Sequence, residues 1–266
     1  MVRQVPVVWK VLSALLLIFF TLYMLVPLIV VIGTSFSQSR FLSFPPNGFS
    51  LEWYREALTA DYYVVPFQTS VLLAVAVAIV AGILGTGAAL ALARFDFPGK
   101  GAIQGFLMSP LIVPSIILGI GALSFLATYA GGPGFIPLML AHIVLAIPYV
   151  MRTVGGVMAR ADRFIEEAAR TLGANSWNRY RLVVLPAARP GIVAGVFFAF
   201  NISFDDAVVA LFLRTPDVQT LPIAIYGRLE FSLDPSVAAV SSLMVLITVI
   251  TMVALEKAIG LGRAFL

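Results

Sequence analysis

Glu166-Glu167-Ala168-Ala169-Arg170-Thr171-Leu172-Gly173-Ala174-Asn175-Ser176-Trp177 forms the centre of a polar island that runs from Arg152 to Pro190. Seven arginines fall between Arg152 and Arg189, against three acids, Asp162, Glu166 and Glu167. Long apolar runs flank the island on both sides. A charged insert of this size has no place in hydrocarbon, so it reads as a loop in water. Its excess of arginine marks the cytoplasmic side.

The flanking runs set the class. The 266 residues are 61% hydrophobic and only 11% charged, where a soluble domain carries about 25% charged residues. The chain is therefore predicted to be an all-α membrane protein. Its net charge of +4 is spread over loops between apolar spans rather than over one face, which excludes nucleic acid as a partner. There is no cysteine and one histidine, His142, which leaves no thiolate site and no multi-histidine metal centre.

Six spans are predicted. The first covers about residues 11–32 and is too long for a signal peptide, whose apolar core is about 7–15 residues; Pro27 is expected to kink it. A mixed segment over 33–66 holds a turn cluster at Pro45-Pro46-Asn47-Gly48 and then a short helix from Leu51 to Leu58, with Ser50 as its cap. Trp53 and Tyr54 are placed at headgroup depth. The second span runs over about 67–93, the third over about 103–130 with breaks at Pro110 and Pro114, and the fourth over about 135–157 with His142 and Pro148 inside. The fifth is expected over about 191–213, followed by a loop over 214–235, and the sixth over about 237–258. An even number of spans puts both termini on one side. With the Arg94–Lys100 turn and the island on that side, it holds 13 of the 17 Lys and Arg residues, so the termini and island are read as cytoplasmic. No internal repeat or linker divides the chain, which is read as one transmembrane domain over 1–266 with a cytoplasmic loop at 158–190.

Within the island, Asp162, Glu166 and Glu167 suit the start of a helix, Gly173 suits a left-handed residue that ends it, and Asn175 or Ser176 can cap a second helix over about 177–184 that Pro186 stops. The expected product is a helix–turn–helix elbow, basic at Arg170, Arg179 and Arg181 and apolar at Leu172 and Trp177. Glu167-Ala168-Ala169, three residues, Gly173, nine residues, Val183, one residue, Leu185-Pro186 resembles the EAA loop of ABC importer permeases. Val183 stands where that family has isoleucine. The resemblance implies the type I ABC importer permease fold, with Glu167, Ala168, Ala169, Leu172 and Gly173 at the contact with a separate ATPase dimer. ATP and Mg would then bind on that partner, and no cofactor is expected in this chain. The sequence has no Gly-x-x-x-x-Gly-Lys-Ser/Thr phosphate loop of its own and no catalytic constellation, so it is read as a non-enzyme subunit.

The fifth span carries a second departure from oiliness, Asn201-Ile202-Ser203-Phe204-Asp205-Asp206-Ala207-Val208-Val209. Counted from Pro190, Asp205 lies about 22 Å along the helix, in the outer half of a ~30 Å core. A lone Asp at that depth costs about 2.5–3.5 kcal/mol against lipid. Asn201 and Asp205 share a helix face, which is expected to line a central pathway. There, carboxylates would pair ammonium groups, and Phe204, Phe212 and, from the outer loop, Tyr226 would supply cation–π contacts. Two other readings of the pair remain: neutralisation by a neighbouring helix, or Asp206 capping a break. His142 is read as a helix-packing residue rather than a proton relay. The outer acids Glu52, Glu56, Asp61, Asp217, Glu230 and Asp234 are either solvated or steer a cation.

Ser39-Arg40-Phe41, Trp53-Tyr54, Met108-Ser109-Pro110, Ser203-Phe204-Asp205-Asp206-Ala207-Val208-Val209 and Leu221-Pro222-Ile223-Ala224-Ile225-Tyr226 together resemble the second permease of the spermidine/putrescine ABC importers, over nearly the whole chain. That group also carries amino-acid-like solutes and opines. The resemblance implies a bacterial inner-membrane location, a heterodimer with a second permease, an ATPase dimer, and a periplasmic or extracellular solute-binding protein received by the outer loops. A different class, an ion- or proton-coupled secondary transporter or channel using Asp205 and Asp206, stands as the alternative. It gives the island no task.

Overall fold

The computed structural model describes residues 6–129, 131–231 and 234–259; Arg3 and Arg263, two of the positive charges assigned to the termini, lie outside them. Two compact units are present. One comprises the chain up to Val64 with Ile225–Ile247, and the other comprises Val65–Ala224 with Thr248 onward. Among the described residues the regular structure is helical, with one isolated bridge between Thr215 and Val218.

The first unit opens on α1 (Val7–Thr34), which runs through Pro27. Leucine, isoleucine, valine and phenylalanine surround α1 on every side, and no part of its apolar stretch is buried within the chain, as for a helix whose solvent is lipid. The segment after it folds back on α2 (Glu52–Thr59). The Tyr54 hydroxyl shares a 2.7 Å hydrogen bond with Ser35 Oγ, the Trp53 indole N–H donates to the Ser37 carbonyl at 2.8 Å, and Phe36 stacks on Phe49 at 5.0 Å. α2 starts one residue later than predicted, with Leu51 rather than Ser50 at the N-cap; Ser50 Oγ accepts from the Glu52 N–H at 3.1 Å just before it. Trp53 and Tyr54 are thus half-buried ties between α1 and α2.

The second unit is built around one buried helix. α3 (Asp61–Arg94) starts in the first unit and passes through Pro66, six residues earlier than the predicted span. A proline near a helix start removes one N–H and leaves the rest of the ladder intact. α4 (Lys100–Met108) leads through a 3₁₀ turn at Ser109–Leu111 into α5 (Ser115–Tyr129), and the two arms bend by 100°. The break falls at Pro114, and a proline disfavours the helical region for the residue before it. α6 (Phe135–Arg160) runs straight through Pro148 and buries His142, Leu145, Val150, Val154 and Met158 among others. It is the central helix of the core.

After the island, α7 (Arg163–Thr171) and α8 (Ser176–Arg179) are followed by a π turn at Tyr180–Val184 that continues directly into α9 (Leu185–Asp205). Pro186 therefore does not stop the helix as predicted. The wider turn, closed by the Leu185 N–H on the Tyr180 carbonyl, precedes the proline and carries the chain past it. α9 lies directly on α6: a Cβ added at Gly191 would stand 2.8 Å from Val154 Cα, and one added at Gly195 would stand 3.0 Å from Val150 Cα. Small residues let membrane helices approach this closely.

The fifth span also differs from its prediction. α9 ends at Asp205, Asp206 is extended (φ −69°, ψ 121°), and α10 (Val208–Leu213) is a separate piece. The predicted loop at 214–235 contains α11 (Leu221–Phe231), whose first N–H donates to Ser70 Oγ at 2.8 Å. α12 (Pro235–Ile259) ends the described chain. Among the described residues, five helices are long and apolar enough to cross a membrane, and six spans result if the bent α4–α5 pair is one of them.

Near the ends of α11 and α12, the first unit holds a polar knot. The Tyr63 hydroxyl bonds Ser236 Oγ at 2.8 Å. The Arg228 guanidinium lies 4.3 Å over the Tyr62 ring and 3.6 Å from both Glu56 and Asp234. Glu56 and Asp234, two of the six acids predicted to lie on the outer side, thereby share one arginine.

Candidate functional site

The island folds as its sequence requires. Asp162 Oδ1 accepts the Phe164 N–H at 2.9 Å and starts α7. At the other end the Ala174 N–H reaches the Ala169 carbonyl and the Gly173 N–H reaches the Arg170 carbonyl, both at 3.0 Å. This is the paired closure of a Schellman turn. Gly173 sits at φ +86° with no atom near a hypothetical Cβ, so backbone conformation alone demands glycine there. Asn175 Oδ1 accepts the Asn178 N–H at 2.8 Å and starts α8.

Two adjacent glutamates then part company. Glu166 turns inward and pairs with Arg94 at the end of α3, both side chains being mostly buried; the Arg163 guanidinium donates to the Ala93 carbonyl at 3.0 Å beside it. Glu167 and Ala168 face out, Ala169 is half-buried, and Leu172 is 88% exposed, with Phe164, Ile165 and Trp177 also bare. An apolar tip of this kind on a charged loop is a surface built to be covered. The sequence reading missed the Arg94–Glu166 anchor, since the two residues lie far apart in the chain and either could equally be solvated.

The acidic pair also splits. Asp206 Oδ2 accepts the N–H groups of Val209 and Ala210 at 2.9 and 3.0 Å, satisfying the free donors at the start of α10. Asp206 is therefore the cap of a break, one of the readings left open from the sequence. Asp205 is exposed. Behind Asp206 stands His142, 1% exposed. Its Nδ1 lies 3.0 Å from Ser203 Oγ, and its Nε2 lies 3.5 Å from Asp206 Oδ2 without a hydrogen bond. A cavity of about 300 Å³ opens where the break meets the bent third span; Pro114, Ser115, Tyr149 and Asp206 are among its walls.

The other predicted pathway residues are scattered. Asn201 Nδ2 donates to its own helix at the Phe197 carbonyl, 2.9 Å away. Phe204 is 1% exposed, stacked on Phe200 at 5.6 Å and edge-on to Phe67 at 6.3 Å, so its ring is core in this conformation. Tyr226 lies on α11 in the first unit and is half exposed. Of the predicted pathway residues, Asp206 lines the cavity where the two broken spans meet, and Asp205 stands exposed beside it in the chain. No cluster of three metal-ligating residues is present among the described residues.

Residues 81–257, which include both the island and the break, match the family described as binding-protein-dependent transport system inner membrane component. The chain is 32% identical to the spermidine/putrescine transport system permease protein PotC of Escherichia coli K12, over 87% of this chain and 88% of that one. It is 31% identical to the putrescine transport system permease protein PotI of the same organism, over 91% and 88%. In fold it is similar to the bacterial alginate ABC transporter solved with an alginate pentasaccharide-bound periplasmic protein, with TM-score 0.71 and 15% identity over 97% of this chain and 95% of that one. The match over most of the chain favours the importer over the ion-coupled transporter or channel, and the ATPase of such a system is a separate polypeptide. This chain belongs to the binding-protein-dependent transport system inner membrane components, as a multi-pass ABC importer permease.

Proposed function

We propose that this chain is one of two different permeases of an ATP-driven importer of polyamines. In this reading a solute-binding protein delivers spermidine or putrescine to the outer face, and the exposed carboxylate of Asp205 receives an ammonium group of the cargo. The termini and the island face the cytoplasm, where α7 with Glu167, Ala168, Ala169, Leu172 and Gly173 docks on an ATPase that binds ATP and Mg. The observation that carries the cargo assignment is a free carboxylate at a helix break inside an apolar span. A charge in that setting is costly unless something pairs it, and a cationic cargo does so. Relatives that the chain covers almost fully are named for spermidine and putrescine, which supports the same class.

Uptake of labelled spermidine and putrescine by cells expressing the complete importer tests this reading. Wild type should accumulate both, and Asp205→Asn should lose uptake at unchanged membrane levels. No polyamine uptake by wild type would overturn the cargo assignment.

A further inference from the structure

We propose that His142 is a positioning residue of the transport pathway: from the unbroken helix α6 it fixes the α9–α10 break and so sets where the Asp205–Asp206 carboxylates stand. The inference rests on the importer reading of that break, but not on which solute is carried.

Three observations lead there. His142 is buried on α6, and both its ring nitrogens face residues flanking the break, Ser203 before it and Asp206 at it. A hydroxyl can donate or accept, whereas a carboxylate only accepts, so the tautomer that suits both neighbours has its hydrogen on Nε2, facing Asp206 at 3.5 Å, with Ser203 donating to Nδ1. Asp206 Oδ2 in turn holds the first N–H groups of α10. α10 packs on α5 so closely that a Cβ added at Gly119 would stand 2.6 Å from the Phe212 ring. The chain of contact runs from α6 through His142 and Asp206 to α10 and onto the outer arm of the bent third span.

The arrangement gives the two aspartates separate tasks. Asp206 is tied to backbone and faces the imidazole, and Asp205 is left free. The polar neighbours of His142 are Ser203 and Asp206, so it acts on Asp205 through the break. A histidine that only filled space would not need both nitrogens aimed at the two sides of one helix interruption. Leucine would fill much the same volume; glutamine can carry an N–H to about the Nε2 position; asparagine reaches only the Ser203 side.

The chain has no cysteine, so a single one reports cleanly. Half-buried Ala207, in the break itself, is the place for it. In membranes holding the complete importer, Ala207→Cys is labelled with a water-soluble maleimide in the presence of His142, His142→Gln, His142→Asn and His142→Leu, with no cargo added. Leucine and asparagine should speed labelling at least about fivefold, as loss of one buried polar contact loosens a local opening equilibrium; glutamine should label at close to the wild-type rate. Uptake should fall with leucine and asparagine and return with glutamine. If the leucine variant fails to reach the membrane, the asparagine and glutamine pair decides the matter. Equal labelling rates in all variants, or equal impairment by glutamine and asparagine, would overturn the proposal. Because labelling needs no polyamine, a failed cargo assignment leaves this outcome readable.

Discussion

Asp205 and Asp206 are neighbours with opposite surroundings, and substitution should separate them. Asp205→Asn leaves every hydrogen bond of the break in place and is expected to lower uptake without lowering the amount of folded protein. Asp206→Ala removes the acceptor for the Val209 and Ala210 N–H groups and should destabilise by about 1 kcal/mol, the usual worth of a helix cap. Asp206→Asn keeps an acceptor oxygen and should restore most of that stability. Thermal unfolding of the purified permease, followed beside uptake, checks all three. An equal loss of stability in Asp205→Asn and Asp206→Ala would contradict the division. The sequence makes the pair conspicuous, because two acids in an apolar span demand explanation. It cannot say which one caps, since either carboxylate could accept the free N–H groups one residue further on. Nor does it flag His142 as their neighbour, 61 residues from Ser203.

Among the elements, the island was the most legible. Asp162, Gly173 and Asn175 each stand where a helix terminus requires them, and their side chains and dihedral angles do what those residue types do. The run-on past Pro186 was not legible, because a π turn is selected by packing along the helix rather than by a residue type. α11 was hidden for a similar reason: its first N–H is satisfied by Ser70, a residue distant in sequence. α7 is anchored through Glu166 to Arg94 and through Arg163 to the Ala93 carbonyl, which ties it to the C-terminal end of α3. Glu166→Gln should weaken that tie by about 1–3 kcal/mol, the range for a charged hydrogen bond. Hydrogen exchange at the amides of 166–171 should then quicken while those of α6 do not change. The double exchange Arg94→Glu with Glu166→Arg should bring protection partly back, and protection untouched by either change would remove the anchor from the mechanism.

At the scale of the molecule, six spans follow from composition and charge; among the described residues the structure supplies five, or six with the bent α4–α5 pair as one, and interruptions that length and hydropathy alone do not reveal. The bend at Pro114 and the break at Asp206 lie together around one cavity, apart from the π turn at Tyr180–Val184. Such backbone is tolerated in a membrane where it lines a cavity or is buried in protein. α1, apolar on all sides and uncovered by its own chain, leaves a surface for lipid or for the second permease of the proposed pair. The central claim is that ATP hydrolysis on a partner drives solute through this chain by way of the island. ATP-dependent uptake into vesicles carrying the complete importer, wild type against Gly173→Val, tests it most directly. A side chain at the left-handed position costs about 1–2 kcal/mol, which corresponds to about a five- to thirtyfold change in the ratio of correctly turned to misturned loop. Uptake is expected to fall, by up to that factor, with the permease still present at wild-type levels, and uptake equal to wild type would contradict the claim.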